Sequence, residues 1–142
     1  MQEADFREYI RRFNEEDDTA FDDYLAENMH MRNGTLEYTG IDGMKHHYRV
    51  NIWPHFVERL EVPAYVSDGK RIGIKMLTHF TARRDNDDTI FGPVKAGETF
   101  DFDGIIMYEL DAEGKFADIQ VAYNAFVFTN VAGERRDLGI PH

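Results

Sequence analysis

The spacing of apolar positions along this chain changes near its middle, from a helical period to a period of two. In residues 3–16, EADFREYIRRFNEE, the apolar positions Phe6, Tyr9, Ile10 and Phe13 recur at helical spacing, which predicts a first helix with one face on a core. Asp18 or Thr19 can cap a short second helix that turns Phe21, Tyr24 and Leu25 inward. Residues 28–38, NMHMRNGTLEY, predict a short strand broken at Asn33-Gly34, as in a hairpin. After Gly40 a third helix is expected from about Ile41 to Leu60, with Met44, Tyr48, Ile52 and Phe56 as its inward stripe. Pro54 falls inside that stripe and should kink the helix or end its first part.

Beyond the third helix the pattern is that of strands. Val62–Ser67 predicts one, Asp68-Gly69 its turn, and Arg71–Arg84 a longer one whose inward parity reads as Leu77, His79 and Thr81. Residues 85–97, DNDDTIFGPVKAG, read as a polar loop and as the most mobile segment. Residues 98–131 then form one long hairpin turning at Asp111-Ala112-Glu113-Gly114. On its first arm Phe100, Phe102, Ile106, Tyr108 and Leu110 share a parity. On its second, Ile119, Val121, Tyr123 and Val127 fall on one parity, and Ala122, Phe126 and Phe128 on the other. Both faces of the hairpin are therefore partly apolar, which suggests that one covers a core or pocket and the other meets a second subunit. The tail ERRDLGIPH packs on a neighbour or stays loose. This order, helices first and antiparallel strands after, predicts an α+β fold. Three N-terminal helices would pack on a strongly curved, mostly antiparallel sheet, leaving a cavity between the third helix and the sheet.

Composition narrows the classes of function. A length of 142 residues predicts a single domain over residues 1–142, and 42% hydrophobic residues are enough for a substantial core. A net charge of −11 opposes binding to nucleic acid and to anionic membrane surfaces, because the phosphates would repel it. The chain has no cysteine, so thiolate chemistry and disulfides are excluded, which suits a cytoplasmic protein. MQEADFREYI lacks the basic and apolar regions of a signal peptide. No apolar run approaches the ~20 residues of a membrane span.

The order of elements, with GIDGMKHHY opening the third helix and LDAEGKFADIQ at the last turn, resembles the nuclear transport factor 2-like superfamily. More narrowly it is similar to the SnoaL-like polyketide cyclases and their relatives, ketosteroid isomerase, limonene epoxide hydrolase and scytalone dehydratase. The resemblance implies a cone-shaped α+β barrel, a homodimer through the sheet and an apolar pocket for a small molecule. It also implies where catalytic groups would lie. Tyr9 matches the pocket tyrosine of the isomerases, and Asn33 or Arg32 stands at their general base. Ile106 stands at their second acid, and Val121 near the aspartate of the cyclases and epoxide hydrolases. The carboxylates expected at these positions are absent.

The remaining chemistry lies elsewhere in the sequence. His79, in KMLTHFTA, is the candidate general acid or base, since an imidazole titrates near neutrality. Tyr9 is the candidate donor to a developing oxyanion. Asn33, His47, Tyr48, Trp53, Val121 and Tyr123 are the candidate substrate-binding residues. Asp101 and Asp103, in FDFDG, share a parity opposite Phe100 and Phe102 and read as an outward polar face. His47, Asn51 and His55 recur every four residues, but with no HExxH and no cysteine they do not make a metal site. These residues predict cofactor-independent acid–base chemistry, a cyclisation, isomerisation or dehydration of a small apolar oxygenated molecule. The missing carboxylates leave a non-catalytic binding or dimerisation module as the competing reading.

Overall fold

The computed structural model describes residues 1–140. Helix α1, Glu3–Asn14, buries Phe6, Tyr9, Ile10 and Phe13 along one stripe. The Gln2 backbone N–H donates to the Asp5 carboxylate at 3.0 Å across its first turn. Helix α2, Thr19–Tyr24, buries Ala20 and Phe21, and strand β1, Leu25–Asn33, follows it directly. Strand β2, Leu36–Thr39, pairs back on β1.

The third helix is much shorter than its apolar stripe suggests. Helix α3, Gly40–His46, passes into a π-helical turn, His47–Ile52, closed by the Trp53 N–H on the Tyr48 carbonyl at 2.8 Å. Pro54 follows within two residues of the turn's end. Pro54 has no N–H to donate and its ring crowds the preceding turn, so the helix cannot continue. Strand β3 then begins at Phe56 and runs to Ser67, so residues 56–60, expected in the helix, lie in the sheet.

The sheet has seven strands. β4 is Arg71–Ala82, β5 Thr99–Leu110, β6 Phe116–Thr129 and β7 Arg135–Asp137. The order is β2-β1-β6-β5-β4-β3, with β7 also paired to β6; only β1 and β6 run parallel. The tail expected to be free or against a neighbour thus enters the sheet at residues 135–137; its last two residues lie outside the described ones. The three helices cover the concave face of this curved, open sheet. Phe6, Phe21, Phe56, Phe116, Met29 and Ile72 are fully buried between the two layers.

Two strands differ from the expected parity. On β4 the buried positions are Ile72, Ile74, Met76, Thr78, Phe80 and Ala82, so His79 points the other way. The reason lies in the side chains: four large apolar residues share the even parity, against Leu77 alone on the odd one. On β6 the register shifts between Tyr123, opposite Gly104, and Ala125, opposite Asp103. The extra residue, Asn124, is a bulge. It brings Phe126 and Phe128 onto the same face as Ile119, Val121 and Tyr123. Phe126 stacks on Phe102 with ring centroids 4.2 Å apart, and Phe128 packs 5.2 Å from Phe100. Neither phenylalanine is available to a second subunit through the outer face.

The loop between β4 and β5 is pinned rather than loose. Asn86 and Val94 exchange backbone hydrogen bonds at 3.0 and 2.8 Å, and the Asn86 amide lies 3.0 Å from His55 Nδ1. Phe91 inserts between Phe56, Phe80, Phe100, Phe102 and Phe126, with centroids 4.6 to 5.8 Å away. A polar composition concealed one aromatic anchor.

Candidate functional site

Between α1, the π-helical turn and the concave face lies a cavity of about 400 Å³. Its wall is mostly apolar, built from Phe13, Met31, Met44, Leu60, Met76, Ile106 and Ile119, with Ile90 and Phe91 contributed by the β4–β5 loop. Its polar members come from separate elements: Tyr9 from α1, Asn33 from β1, Tyr38 from β2 and His47, Tyr48 and Asn51 from the π-helical turn. Glu58 comes from β3, Thr78 from β4, Tyr108 from β5 and Tyr123 from β6. No lysine or arginine is among the lining residues.

Glu58 is the carboxyl of this cavity. Phe56 and Leu60 alternate with exposed Val57 and Arg59, so the pleat carries Glu58 inward with its apolar neighbours. It is 8% exposed, and its Oε2 has no hydrogen-bond partner among the described residues. Burial without a compensating charge pushes its pKa up to about 8, so the group is a neutral carboxylic acid at pH 7. Asn33 Oδ1, from another wall, also lacks a partner.

The other titratable groups on the wall are held neutral as well. Burial, with His46 nearby, lowers the His47 pKa to about 4. The His47 ring stacks on Tyr38 at 5.4 Å and meets Tyr48 edge-on at 5.1 Å. Burial pushes the hydroxyls of Tyr9, Tyr38, Tyr48 and Tyr108 upward, so they remain protonated donors. Tyr38 uses its donor on the Met44 sulfur at 3.0 Å. The cavity at pH 7 is therefore uncharged, with an unpaired carboxyl group and several tyrosine hydroxyls facing it.

Of the candidate residues read from the sequence, the fold brings Tyr9, Asn33, His47, Tyr48, Val121 and Tyr123 to this wall. Asn33 lines it, whereas Arg32 is exposed on the other parity. Trp53 does not line it; its indole stacks on Phe21 at 6.3 Å behind the π-helical turn. His79 is excluded from the cavity. Its ring lies on the outer face, 41% exposed, with Nδ1 2.5 Å from Asp101 and Nε2 3.6 Å from Glu61. It cannot reach a molecule held on the other side of the sheet. Glu58 was hidden by the expected long helix. Read as strand, FVERL puts an acid at the centre of an apolar parity, and that mismatch is the signal that marks it.

The model of the SnoaL-like domain matches residues 6–119, which hold every lining residue of the cavity except Val121, Tyr123 and Phe126. The chain belongs to the SnoaL-like domain family. No curated protein matches this SnoaL-like chain. Solved structures that resemble it include a candidate polyketide cyclase from Xanthomonas campestris pv. campestris, 18% identical over 85% of this chain and 88% of the other, with a TM-score of 0.71. A Δ5-3-ketosteroid isomerase from Mycobacterium sp. is 17% identical over 89% and 96%, with a TM-score of 0.69. A Mycobacterium tuberculosis protein solved with estradiol-17β-hemisuccinate is 11% identical over 85% and 92%, with a TM-score of 0.64. Identities this low establish the shared fold and leave the chemistry to the residues. Ile106 and Val121, where the family resemblance implies acids, are apolar parts of the wall in this SnoaL-like chain. Its carboxyl comes from β3 instead. Among the described residues no three His, Cys, Asp or Glu side chains converge as a metal site, and no helix is long and apolar enough to cross a membrane.

Proposed function

We propose that the chain is a cofactor-independent acid–base enzyme, a cyclase, isomerase or dehydratase, acting on a small, largely apolar, oxygenated molecule of polyketide-like, aromatic or terpenoid type. The observation that carries this reading is Glu58, a buried carboxyl with an unpartnered oxygen on the wall of an apolar cavity. A carboxyl whose pKa is about 8 both gives up and recovers a proton near neutral pH. Tyr9 donates a hydrogen bond to the oxygen on which negative charge develops. Asn33, His47, Tyr48, Val121 and Tyr123 surround the substrate, with His47 neutral and able to accept or donate one hydrogen bond. The isomerase and the steroid-bound protein among the similar folds support a ligand of fused-ring size.

A model substrate tests this without knowledge of the natural one. β-Tetralone carries acidic protons beside its carbonyl, and their exchange in D2O is followed by NMR. The wild-type protein should accelerate exchange, and Glu58→Gln should lose ~10²–10⁴-fold of that acceleration. Undiminished exchange in Glu58→Gln would sink the reading. The apolar side chains at Ile106 and Val121 favour the second reading, a non-catalytic binding module, and tight tetralone binding without any exchange would select it.

We further infer a cytoplasmic homodimer that meets through the outer sheet face, where Ile105 and Met107 are 48% and 43% exposed. Sedimentation at micromolar concentration should give twice the chain mass of 16.6 kDa; a single-chain mass would exclude the dimer.

A further inference from the structure

Two oxygens on the cavity wall, Glu58 Oε2 and Asn33 Oδ1, lack any hydrogen-bond donor among the described residues. The wall supplies no cation to Glu58. Arg59, beside it in the sequence, is on the outer face with its side chain 70% exposed and directed to Glu61. The wall that carries the carboxyl is rich in aromatic side chains: Tyr9 and Phe13 from α1, Tyr48 from the π-helical turn and Tyr38 from β2 all line the same cavity. A lone buried carboxyl among aromatic faces is the chemistry that holds an ammonium group, through one ion pair and the negative faces of the rings.

We propose that the cavity takes a protonated amine on an aromatic or alicyclic skeleton, its ammonium group set against Glu58 and the tyrosine faces. The inference rests on the acid–base reading of the cavity and gives its substrate a basic nitrogen. The three charge classes of ligand fare differently here. An anion would be buried with no counter-charge and would lose its hydration uncompensated. A neutral molecule would leave Glu58 as a protonated acid. An ammonium supplies both the missing counter-charge and the missing N–H donors, and the chain's net charge of −11 attracts it from solution.

Binding of this kind moves a proton. The titratable groups on the elements around Glu58 are Tyr9 on α1, Tyr38 on β2, His47 and Tyr48 on the π-helical turn and Tyr108 on β5. All are uncharged at pH 7. The protonation change therefore falls on Glu58. The ammonium draws the group into its carboxylate form and one proton leaves. The cation thus creates the form of Glu58 that accepts a proton, only when a ligand is present.

Three probes of one shape separate the classes: 1-naphthylmethylamine, 1-naphthalenemethanol and 1-naphthoate. Calorimetry at pH 7 in phosphate and in Tris counts protons exchanged on binding. The amine should bind more than tenfold tighter than the alcohol or the acid and release about one proton per site. Its affinity should rise about tenfold from pH 6 to pH 7 and level off above pH 8. Glu58→Gln should abolish the proton release and the preference for the amine over the alcohol. Equal or tighter binding of the alcohol, amine binding without proton release, or no amine binding overturns the proposal. If Glu58→Gln does not fold, the wild-type proton count and pH slope decide alone. None of these readouts uses turnover, so a Glu58-dependent exchange of β-tetralone together with preference for the alcohol would remove the amine and leave the acid–base reading standing.

Discussion

Glu58 and Arg59 are neighbours on β3, as His79 and Phe80 are on β4, yet the two faces of these strands treat ionisable groups in opposite ways. On the outer face the histidines have carboxylate partners and are partly exposed. His79 lies between Asp101 and Glu61, and His30 between Asp118 at 2.7 Å and Glu37 at 2.6 Å. These contacts raise the His30 pKa, Asp118 first and Glu37 next. On the inner face Glu58 Oε2 has no partner among the described residues, and burial raises the pKa of the group to about 8. The contrast shows what one step along a pleated strand is worth. Outside, polar groups are solvated and nearly free of consequence; inside, a single carboxyl shifts its ionisation and costs folding stability as pH rises.

The largest expected effect follows from that cost. The unfolded chain ionises Glu58 near the ordinary value of 4.5, whereas the folded chain keeps the proton up to about pH 8. The folded state therefore binds more protons in this window, and stability falls as pH rises from about 4.5 to 8, then levels off. The full span is on the order of 5 kcal/mol. His47 acts in the opposite sense. It stays neutral down to about pH 4 against an ordinary 6.5, so its contribution is lost as pH falls between those values. The two oppose one another between about pH 4.5 and 6.5; above 6.5 Glu58 is joined by His30, whose raised pKa also makes stability fall as pH rises. Urea midpoints should fall more steeply for the wild type between pH 6.5 and 8 than for Glu58→Gln, which keeps only the smaller slope of His30 and should be the more stable protein at pH 8. A wild-type profile no steeper than that of Glu58→Gln would mean that Glu58 is ionised in the fold.

The next comparison uses adjacent residues of one strand. Ile106 is 6% exposed on the cavity wall, and Ile105 is 48% exposed on the outer face. Ile106→Ala should cost ~2–5 kcal/mol, and Ile105→Ala in the monomer less than ~1 kcal/mol. Chemical denaturation of both variants at one protein concentration measures the difference. If Ile105→Ala instead lowers stability in a concentration-dependent way, the outer face is the dimer contact.

The bulge that aligns Phe126 with Tyr123 gives a smaller effect. A Cβ on Gly104 would stand 2.4 Å from the Ala122 carbonyl oxygen and 2.6 Å from the Tyr123 Cα, both backbone atoms that cannot rotate away. Gly104→Ala should cost ~1–3 kcal/mol and weaken cavity ligands by displacing Phe126. An unchanged denaturation midpoint would show that the two strands separate here at no cost.

The sequence made the fold legible where apolar spacing had one solution. The stripe of α1, the turn at Asp111–Gly114 and the inward parity of Phe100, Phe102, Ile106 and Tyr108 are all read from it correctly. It was misleading where two periods overlap. Phe56 continues the helical stripe of Met44, Tyr48 and Ile52, and it also opens the alternation of Phe56, Glu58 and Leu60; Pro54 decides between them by ending the helix. That one choice concealed Glu58. Similarly, Phe126 and Phe128 lie on the outward parity of an unbroken strand, and only the extra residue Asn124, opposite a glycine, turns them inward. The cavity residues Tyr9, Asn33, Ile106 and Val121 could be named from the family resemblance because family and chain share their element order. The carboxyl could not, because it stands on a different strand.

The smallest expected effect is the sharpest test of the division between faces. His79 is the titratable group that the sequence alone favoured for catalysis, and Glu58 is the one the geometry favours. They are separated by the thickness of the sheet. If the faces are independent, His79→Ala breaks contacts with Asp101 and Glu61 that are already in water and screened by it. The denaturation midpoint should then move by no more than replicate scatter, and tetralone exchange and naphthylmethylamine affinity should stay within twofold of wild type. The same three measurements on Glu58→Gln should all change. A loss of exchange in His79→Ala with unchanged stability would mean that the outer His79–Asp101 pair communicates with the cavity through β4, whose Thr78 and Phe80 flank His79 and face inward. The double variant would then lose less than the sum of the two single losses, since both would act on one proton.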